Sequence, residues 1–272
     1  MPAACRLAEV PLSSFNFVGV IHLRPLPAAP RGSPGFAAVR ERALRDAEAL
    51  AEGGAGGAML ENFGDAPFCP GSVDPHVVAG MAILAGEVRR RFPQLRLGIN
   101  VLRNDARAAL GIAAVTEADW VRVNVLAGAS VTDQGVIEGQ AHALLRYRRE
   151  VGCRAQLLAD VHVKHAVPLG GGRIEDAAAD LYRRAGADIL IVTGRATGAA
   201  ADSADVDAVR AAVPEAPVWL GSGVSEESAP SWSSRTQGAI VGTALHHGGD
   251  VREPLDVVRV RRMAARLGVA PG

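Results

Sequence analysis

The segment Leu158-Ala159-Asp160-Val161-His162-Val163-Lys164 alternates apolar and polar residues, so an extended strand would carry its acid, imidazole and amine on one face at about 6.6 Å intervals. These are groups of proton transfer, and a lysine that loses its proton on burial can also form a Schiff base with a carbonyl. Lys164 is the only lysine among 29 basic residues, all the others being arginine. An ammonium kept where guanidinium serves everywhere else points to a compact charge on phosphate, or to acid–base or covalent chemistry on a carbonyl. For Asp160, a buried network in which it only satisfies its neighbours is the competing reading.

Other extended runs also end in polar residues. His22, Glu61, Asn62 and Asn100 close three of them, followed by Arg103 and Asn104; Thr193 closes another. Arg122 and Asn124, two residues apart, read as clamps on a polar ligand. Thr132 and Asp133 lie in a loop from Val125 to Gly135, available to a substrate or simply solvated. Two later runs end in small residues instead, at Gly221, Ser222 and Gly223 and at Gly242 and Thr243. Glycines let backbone N–H groups approach an anion, and helices opening at Ser225 and after Thr243 would point their positive ends at it. This predicts a phosphate site, tight turns being the alternative.

His22, Glu61, Asp160 and His162 could also supply nitrogen and oxygen ligands to a divalent metal, although neither H-x-H nor H-E-x-x-H spacing occurs. No organic cofactor is predicted. The chain has no P-loop, no G-x-S-x-G elbow, and at Gly170 to Gly172 no G-x-G-x-x-G opening a helix.

Positioning such groups requires elements that bring strand ends together. Short aliphatic runs alternate with amphipathic stretches, giving eight strand candidates: residues 17–23, 57–62, 95–102, 120–125, 155–163, 189–193, 218–222 and 239–242. Phe36, Val39, Ala43, Ala47 and Leu50 share one helical face, Asp74-Pro75 reads as N-cap and first turn, and Asp105 and Ser225 are placed as caps. Right-handed crossovers between buried parallel strands predict an α/β fold, a single (β/α)8 TIM barrel spanning residues 1–272 with residues 1–16 as an N-terminal extension. An open doubly wound sheet is the alternative.

With 272 residues, zero formal net charge and 49% hydrophobic residues, the composition is that of a soluble globular protein with no electrostatic reason to bind nucleic acid. Cys5, Cys69 and Cys153 form no C-x-x-C pair, and no run approaches the ~18 apolar residues of a membrane span. A cytoplasmic location and a homo-oligomeric barrel are expected.

The runs Gly19 to Leu23, Glu61 to Phe68, Gly98 to Asp105, Arg122 to Val125, Thr132 to Gly135, Ala159 to His165, Val192 to Gly194 and Gly221 to Val224 closely resemble the BtpA/SgcQ family over nearly the whole chain. The resemblance implies a phosphate-binding TIM barrel of poorly defined activity. It also brings an association with photosystem I biogenesis and stability, and a nucleoside triphosphatase label that the missing P-loop does not support. After the last strand the chain carries His246-His247 where the family pattern has lysine.

Residues and resemblance together predict an enzyme acting on a phosphorylated sugar or nucleotide-like metabolite. Glu61, Asp160, His162, Lys164 and His22 would move protons in lyase, isomerase or glycosidic-bond chemistry. A non-catalytic assembly factor and a metal-dependent epimerase or hydrolase are the alternatives.

Overall fold

The computed structural model describes residues 15–194 and 200–269; Cys5 and residues 1–14 of the expected extension lie outside them. Eight parallel strands follow one another: β1 (Asn16–His22), β2 (Gly57–Glu61), β3 (Arg96–Asn100), β4 (Trp120–Val123), β5 (Gln156–Val161), β6 (Ile189–Val192), β7 (Val218–Leu220) and β8 (Gly238–Val241). Each pairs with its neighbours in chain order, and β8 returns to β1 with Gly238 opposite Asn16. Closure excludes the open sheet. All eight expected strands are present, with ends that differ by a residue or two, and Asn16 belongs to β1 rather than to an extension.

The helices α1 (Phe36–Glu52), α2 (Pro75–Arg91), α3 (Ala106–Thr116), α4 (Ala141–Glu150), α5 (Ile174–Ala179), α6 (Ser203–Ala212), α7 (Ala229–Ser233) and α8 (Val257–Arg266) fill the connections and the end of the chain. α1 buries Val39, Ala43, Ala47 and Leu50, as their spacing requires. Asp74 and Pro75 open α2, and Asp105 caps α3 by accepting from Ala108 N at 2.9 Å. Ser225 caps no helix. It exchanges hydrogen bonds with Ser228 in a turn, and α7 starts only at Ala229.

Alternation along each strand sends one set of side chains outward and the other into the lumen. The outward set, Phe17, Ile21, Leu60, Ile99, Val121 and Leu157 among them, is buried beneath the helices. Fully burying one such side chain contributes about 1.5–3 kcal/mol. The inward set forms a separate cluster of Val18, Val20, Met59, Trp120, Leu158, Ile189, Ile191, Trp219 and Ile240. Trp120 and Trp219 meet edge to face, with ring centroids 5.3 Å apart. Two glycines leave the space: a Cβ on Gly57 or on Gly238 would lie 2.7 Å from Trp120 or Trp219 respectively. Followed toward the carboxyl ends, the same alternation reaches His22, Glu61, Asn100, Arg122, Asp160, Thr193, Gly221 and Gly242. The upper layer is polar because the period of two carries it there.

Where a plain loop is expected from Val125 to Gly135, the chain builds part of a second sheet. The strands Ala129–Thr132, Gly135–Glu138 and Ala166–Pro168 pair antiparallel, with the first in the centre. They are too short and too exposed for alternation to mark them. No helix among the described residues is long and apolar enough to cross a membrane.

Since the Cβ of Gly57→Ala would also meet Arg96 O at 2.8 Å, that substitution is expected to lower unfolding free energy by about 1–3 kcal/mol in urea titration. Adding Trp120→Phe is expected to return part of the loss, because the two side chains contest one volume.

Candidate functional site

Glu61 at the end of β2, Arg122 on β4 and Lys164 beyond β5 border two cavities at once and form the ridge where they meet. The first lobe, about 180 Å³, is walled by His22, Gly221, Ser222, Gly223, Gly242 and Thr243. It has room for about six waters at about 30 Å³ each, ample for a phosphate group. The second lobe, about 260 Å³, is lined by Phe63, Ala66, Phe68, Leu102, Asn100, Arg103, Asn124, Asp133 and His165. One lobe is small, polar and glycine-walled; the other has an aromatic and aliphatic side.

The floor is a buried ion pair. Arg122 donates from Nε and Nη2 to the two oxygens of Asp160 at 2.9 and 3.1 Å, and Asn124 Nδ2 adds a third bond to Asp160 at 3.0 Å. Asn124 Oδ1 in turn accepts from Asn100 Nδ2 at 3.2 Å. Gly221 is required beside this floor, since a Cβ there would lie 2.9 Å from Arg122 Nη2 and 2.5 Å from Ile191. Asp160 therefore acts as the anchor of a network, and Arg122 and Asn124 are held by it as much as they are offered to a ligand.

The expectation that Asp160, His162 and Lys164 share one face does not survive. β5 ends at Val161, and His162 takes a left-handed backbone with φ of 54°, which breaks the alternation. His162 lines a third cavity of about 260 Å³ with Ser130, Asp176 and Asp180, between the barrel and the small sheet. It is apart from Glu61 and Lys164. The chain then turns back, Arg103 Nη2 donating to Lys164 O at 3.2 Å, and Lys164 regains the mouth.

Several expected ligand-binding residues are spent on the framework. Asn62 accepts from Leu102 N at 2.7 Å and donates to Asp65, Asn104 exchanges two bonds with the Val125 backbone, and Thr132 closes its own hairpin onto Gly135. Among the described residues Thr193 Oγ1 is buried without a hydrogen-bond partner, and it lines neither lobe. Asp133, by contrast, reaches the second lobe and accepts from Arg103 Nε at 3.2 Å. The helices expected to open on the two loops of small residues are short: α7 has five residues, and Thr243–Leu245 is a single 3-10 turn. Ser222 Oγ accepts from Gly194 N at 3.1 Å and ties the loop after β7 to the one after β6.

His22, Glu61, Asp160 and His162 do not assemble as metal ligands. Both Asp160 oxygens are engaged, His162 shares a cavity with Asp160 that His22 and Glu61 do not line, and among the described residues no three His, Cys, Asp or Glu side chains are placed to hold an ion. Sequence reasoning missed Phe63, Phe68 and His165 as wall residues. The first two belong to the run Glu61 to Phe68, whose length past the strand end was the available signal. His22 also meets a partner that no spacing reveals, its Nδ1 lying 2.9 Å from His246 Nε2.

Burial pushes the Lys164 ammonium below the ordinary lysine range, and Arg122 and Arg103 add to this while Glu61 and Asp160 oppose it. Burial likewise holds His22 well below the usual imidazole value, helped by His246, Lys164, Arg42 and Arg122.

Residues 14–268 match the BtpA family, and the chain is 44% identical over 243 residues to the photosystem I biogenesis protein BtpA of Synechocystis sp., covering 89% of this chain and 84% of that protein. The chain belongs to the BtpA family. Among solved structures, this BtpA-family barrel is similar to 3-hexulose-6-phosphate synthase from Salmonella typhimurium, with TM-score 0.55 and 12% identity over 93% and 98% of the two chains. It is also similar to N-(5'-phosphoribosyl)anthranilate isomerase from Pyrococcus furiosus, with TM-score 0.55 and 12% identity over 93% and 99%. Those likenesses establish the TIM-barrel fold of the BtpA-family chain.

Asp160→Ala would leave the Arg122 guanidinium buried and unpaired, and is expected to cost about 3–5 kcal/mol of unfolding free energy in urea titration. Because the chain has one lysine, its side-chain amine can be followed by peptide mass mapping, apart from the N-terminal amine: acetylation of Lys164 in the folded protein is expected to reach half-maximal rate at a lower pH than acetylation of the same residue in urea.

Proposed function

We propose that the barrel mouth binds a phosphorylated small molecule, with the phosphate in the glycine-walled lobe and the body crossing the ridge of Glu61, Arg122 and Lys164 into the second lobe. One observation carries this reading: the loops at Gly221 to Gly223 and Gly242-Thr243 and the groups capable of proton transfer line the same cavity. Backbone N–H groups of these loops and the Lys164 ammonium would hold the anion. The names of the two similar barrels refer to phosphorylated compounds, in keeping with such a site.

On this reading the protein is an enzyme for a phosphorylated sugar or nucleotide-like metabolite. Glu61 and Lys164 are the reacting pair, His22 assists from the phosphate lobe, and Asp160 is a positioning anchor. A carboxylate beside a lysine with a lowered proton affinity suits proton transfer next to a carbonyl, as in lyase and isomerase chemistry, and leaves Lys164 able to form a Schiff base. His162 has no part in it.

A second reading, a non-catalytic assembly factor, has its own support. Val131 stands opposite both Val136 and Val167 in the small sheet, and all three are exposed, so one face of that sheet is an apolar patch. The name of the Synechocystis relative points the same way.

Thermal shift against sugar phosphates and nucleotides separates the two. A hit that Ser222→Glu abolishes, by placing a carboxylate in the phosphate lobe, is the expected result; no hit across the panel favours the assembly factor. For the Schiff-base branch, condensation expels water and borohydride then adds two hydrogens, so a carbonyl-bearing hit is expected to add its mass less one oxygen atom at Lys164, and an unmodified protein would exclude it.

A further inference from the structure

A chain of hydrogen bonds starts in the backbone and ends on a lone pair in the phosphate lobe. The Glu253 carbonyl oxygen, which can only accept, lies 2.6 Å from His246 Nδ1, so that nitrogen carries the proton. Burial keeps the His246 imidazole below its ordinary proton affinity, and its neutral ring has a bare Nε2. That atom is 2.9 Å from His22 Nδ1, so His22 donates from Nδ1 and is left with Nε2 as an acceptor. His22 and Gly242 line the same lobe, and a Cβ on Gly242 would lie 3.2 Å from Nε2 and 2.7 Å from Cε1. The edge of the ring that meets an anion is therefore the unprotonated one.

We infer that His246 is a positioning residue that fixes His22 in the Nδ1–H tautomer, so that a phosphate monoester entering the lobe must share one proton with His22 Nε2. The inference rests on the reading of this lobe as the phosphate site. Two lone pairs cannot face each other at hydrogen-bond distance; the contact needs a proton, which lies on the phosphate oxygen or on Nε2. A monoanion brings that proton with it. A dianion has none, so one is taken from solvent as it binds, and His22 as imidazolium keeps its Nδ1–H bond to His246 while Nε2–H donates to the phosphate. With a second phosphate pKa near 6, uptake approaches about one proton per site at about pH 8 and falls toward zero below about pH 6.

The charged and titratable groups around His22 are His246 after β8, Arg42 on α1, Lys164 after β5, Arg122 on β4 and Glu61 on β2, with His247 and Asp250 beside His246. Lys164 is the group that could also take up a proton when an anion arrives, so the test must separate it from His22.

The experiment is titration calorimetry of the full chain with ribose 5-phosphate, in two buffers of different ionisation enthalpy, at about pH 6 and about pH 8. Roughly one proton is expected to be bound per ligand at the higher pH and about half a proton at the lower. His246→Phe removes the acceptor and lets His22 present Nε2–H, so binding should persist while uptake at the higher pH falls by at least about half. His246→Gln, whose amide oxygen can accept from Nδ1, should restore it. In the ¹⁵N spectrum of the wild type, assigned with His22→Gln, His22 is expected as the Nδ1–H tautomer; this measurement and the wild-type proton count decide the matter if His246→Phe does not fold. Binding without uptake at the higher pH, an Nε2–H tautomer at His22, or full uptake in His246→Phe would overturn the inference alone. No binding of ribose 5-phosphate, in a protein that also fails the sugar-phosphate panel, would overturn the phosphate site and this inference with it.

Discussion

The Arg122–Asp160 pair is the constraint on which the mouth depends. Taking a guanidinium and a carboxylate out of water is costly, and the attraction between them repays that only when geometry is good and the remaining polar atoms are satisfied. Here two bonds join the ions, and Asn124 supplies a third to the carboxylate. The consequence reaches further than the pair. A carboxylate accepts and never donates, so Asn124 must turn its amide nitrogen toward Asp160 and its oxygen toward Asn100, and Asn100 must then donate. One acid sets the orientation of two amides beside β3 and β4 and so gives rigidity to Arg122, which borders both lobes, and to Asn100 and Asn124, which line the second.

That rigidity divides the labour among the polar residues. Groups whose hydrogen bonds are made within the protein, Asp160, Asn62 and Asn104, hold loops in register. Groups at the ridge and in the glycine-walled lobe, Glu61, Lys164 and His22, face space instead. The distinction is made by counting donors and acceptors, not by residue type, and an acid is as able to be framework as an aliphatic side chain.

The barrel and its polar upper layer were legible because both follow from one periodicity. Eight aliphatic runs with alternation of two bring His22, Glu61, Asn100, Arg122, Asp160 and Gly221 to the same rim. The loops of small residues after β7 and β8 were legible for a related reason, since glycine and serine at strand ends are read directly. What could not be read was where alternation stops. Val161-His162-Val163 has the composition of a continuing strand, yet the left-handed backbone at His162 sends its ring to another cavity, and nothing in the residue types announces that turn. Pairings across large sequence separations were equally invisible: Asn62 with Leu102, Asn104 with Val125, and His22 with His246 depend on the closed barrel itself. The small sheet escaped because three short strands that bury little leave no hydrophobic signature.

The lone lysine now has a physical setting. Of the cations at the ridge, Arg122 is neutralised by Asp160 and Arg103 by Asp133, each through a direct ion pair. Among the described residues Lys164 has no such dedicated acid in contact; its compensation is the Coulomb attraction of Glu61 and Asp160, set against burial and two guanidiniums that disfavour its charge. An arginine in its place would stay protonated whatever its surroundings. A lysine has a proton affinity that its surroundings can move, lowered here by burial and open to being raised again by an entering anion. The same reasoning applies to His22 across the lobe, whose proton affinity is also held down by burial and neighbouring cations. A cavity ringed by arginines already paired to acids, with amine and imidazole as the two adjustable groups, is suited to a ligand whose charge arrives and departs with it.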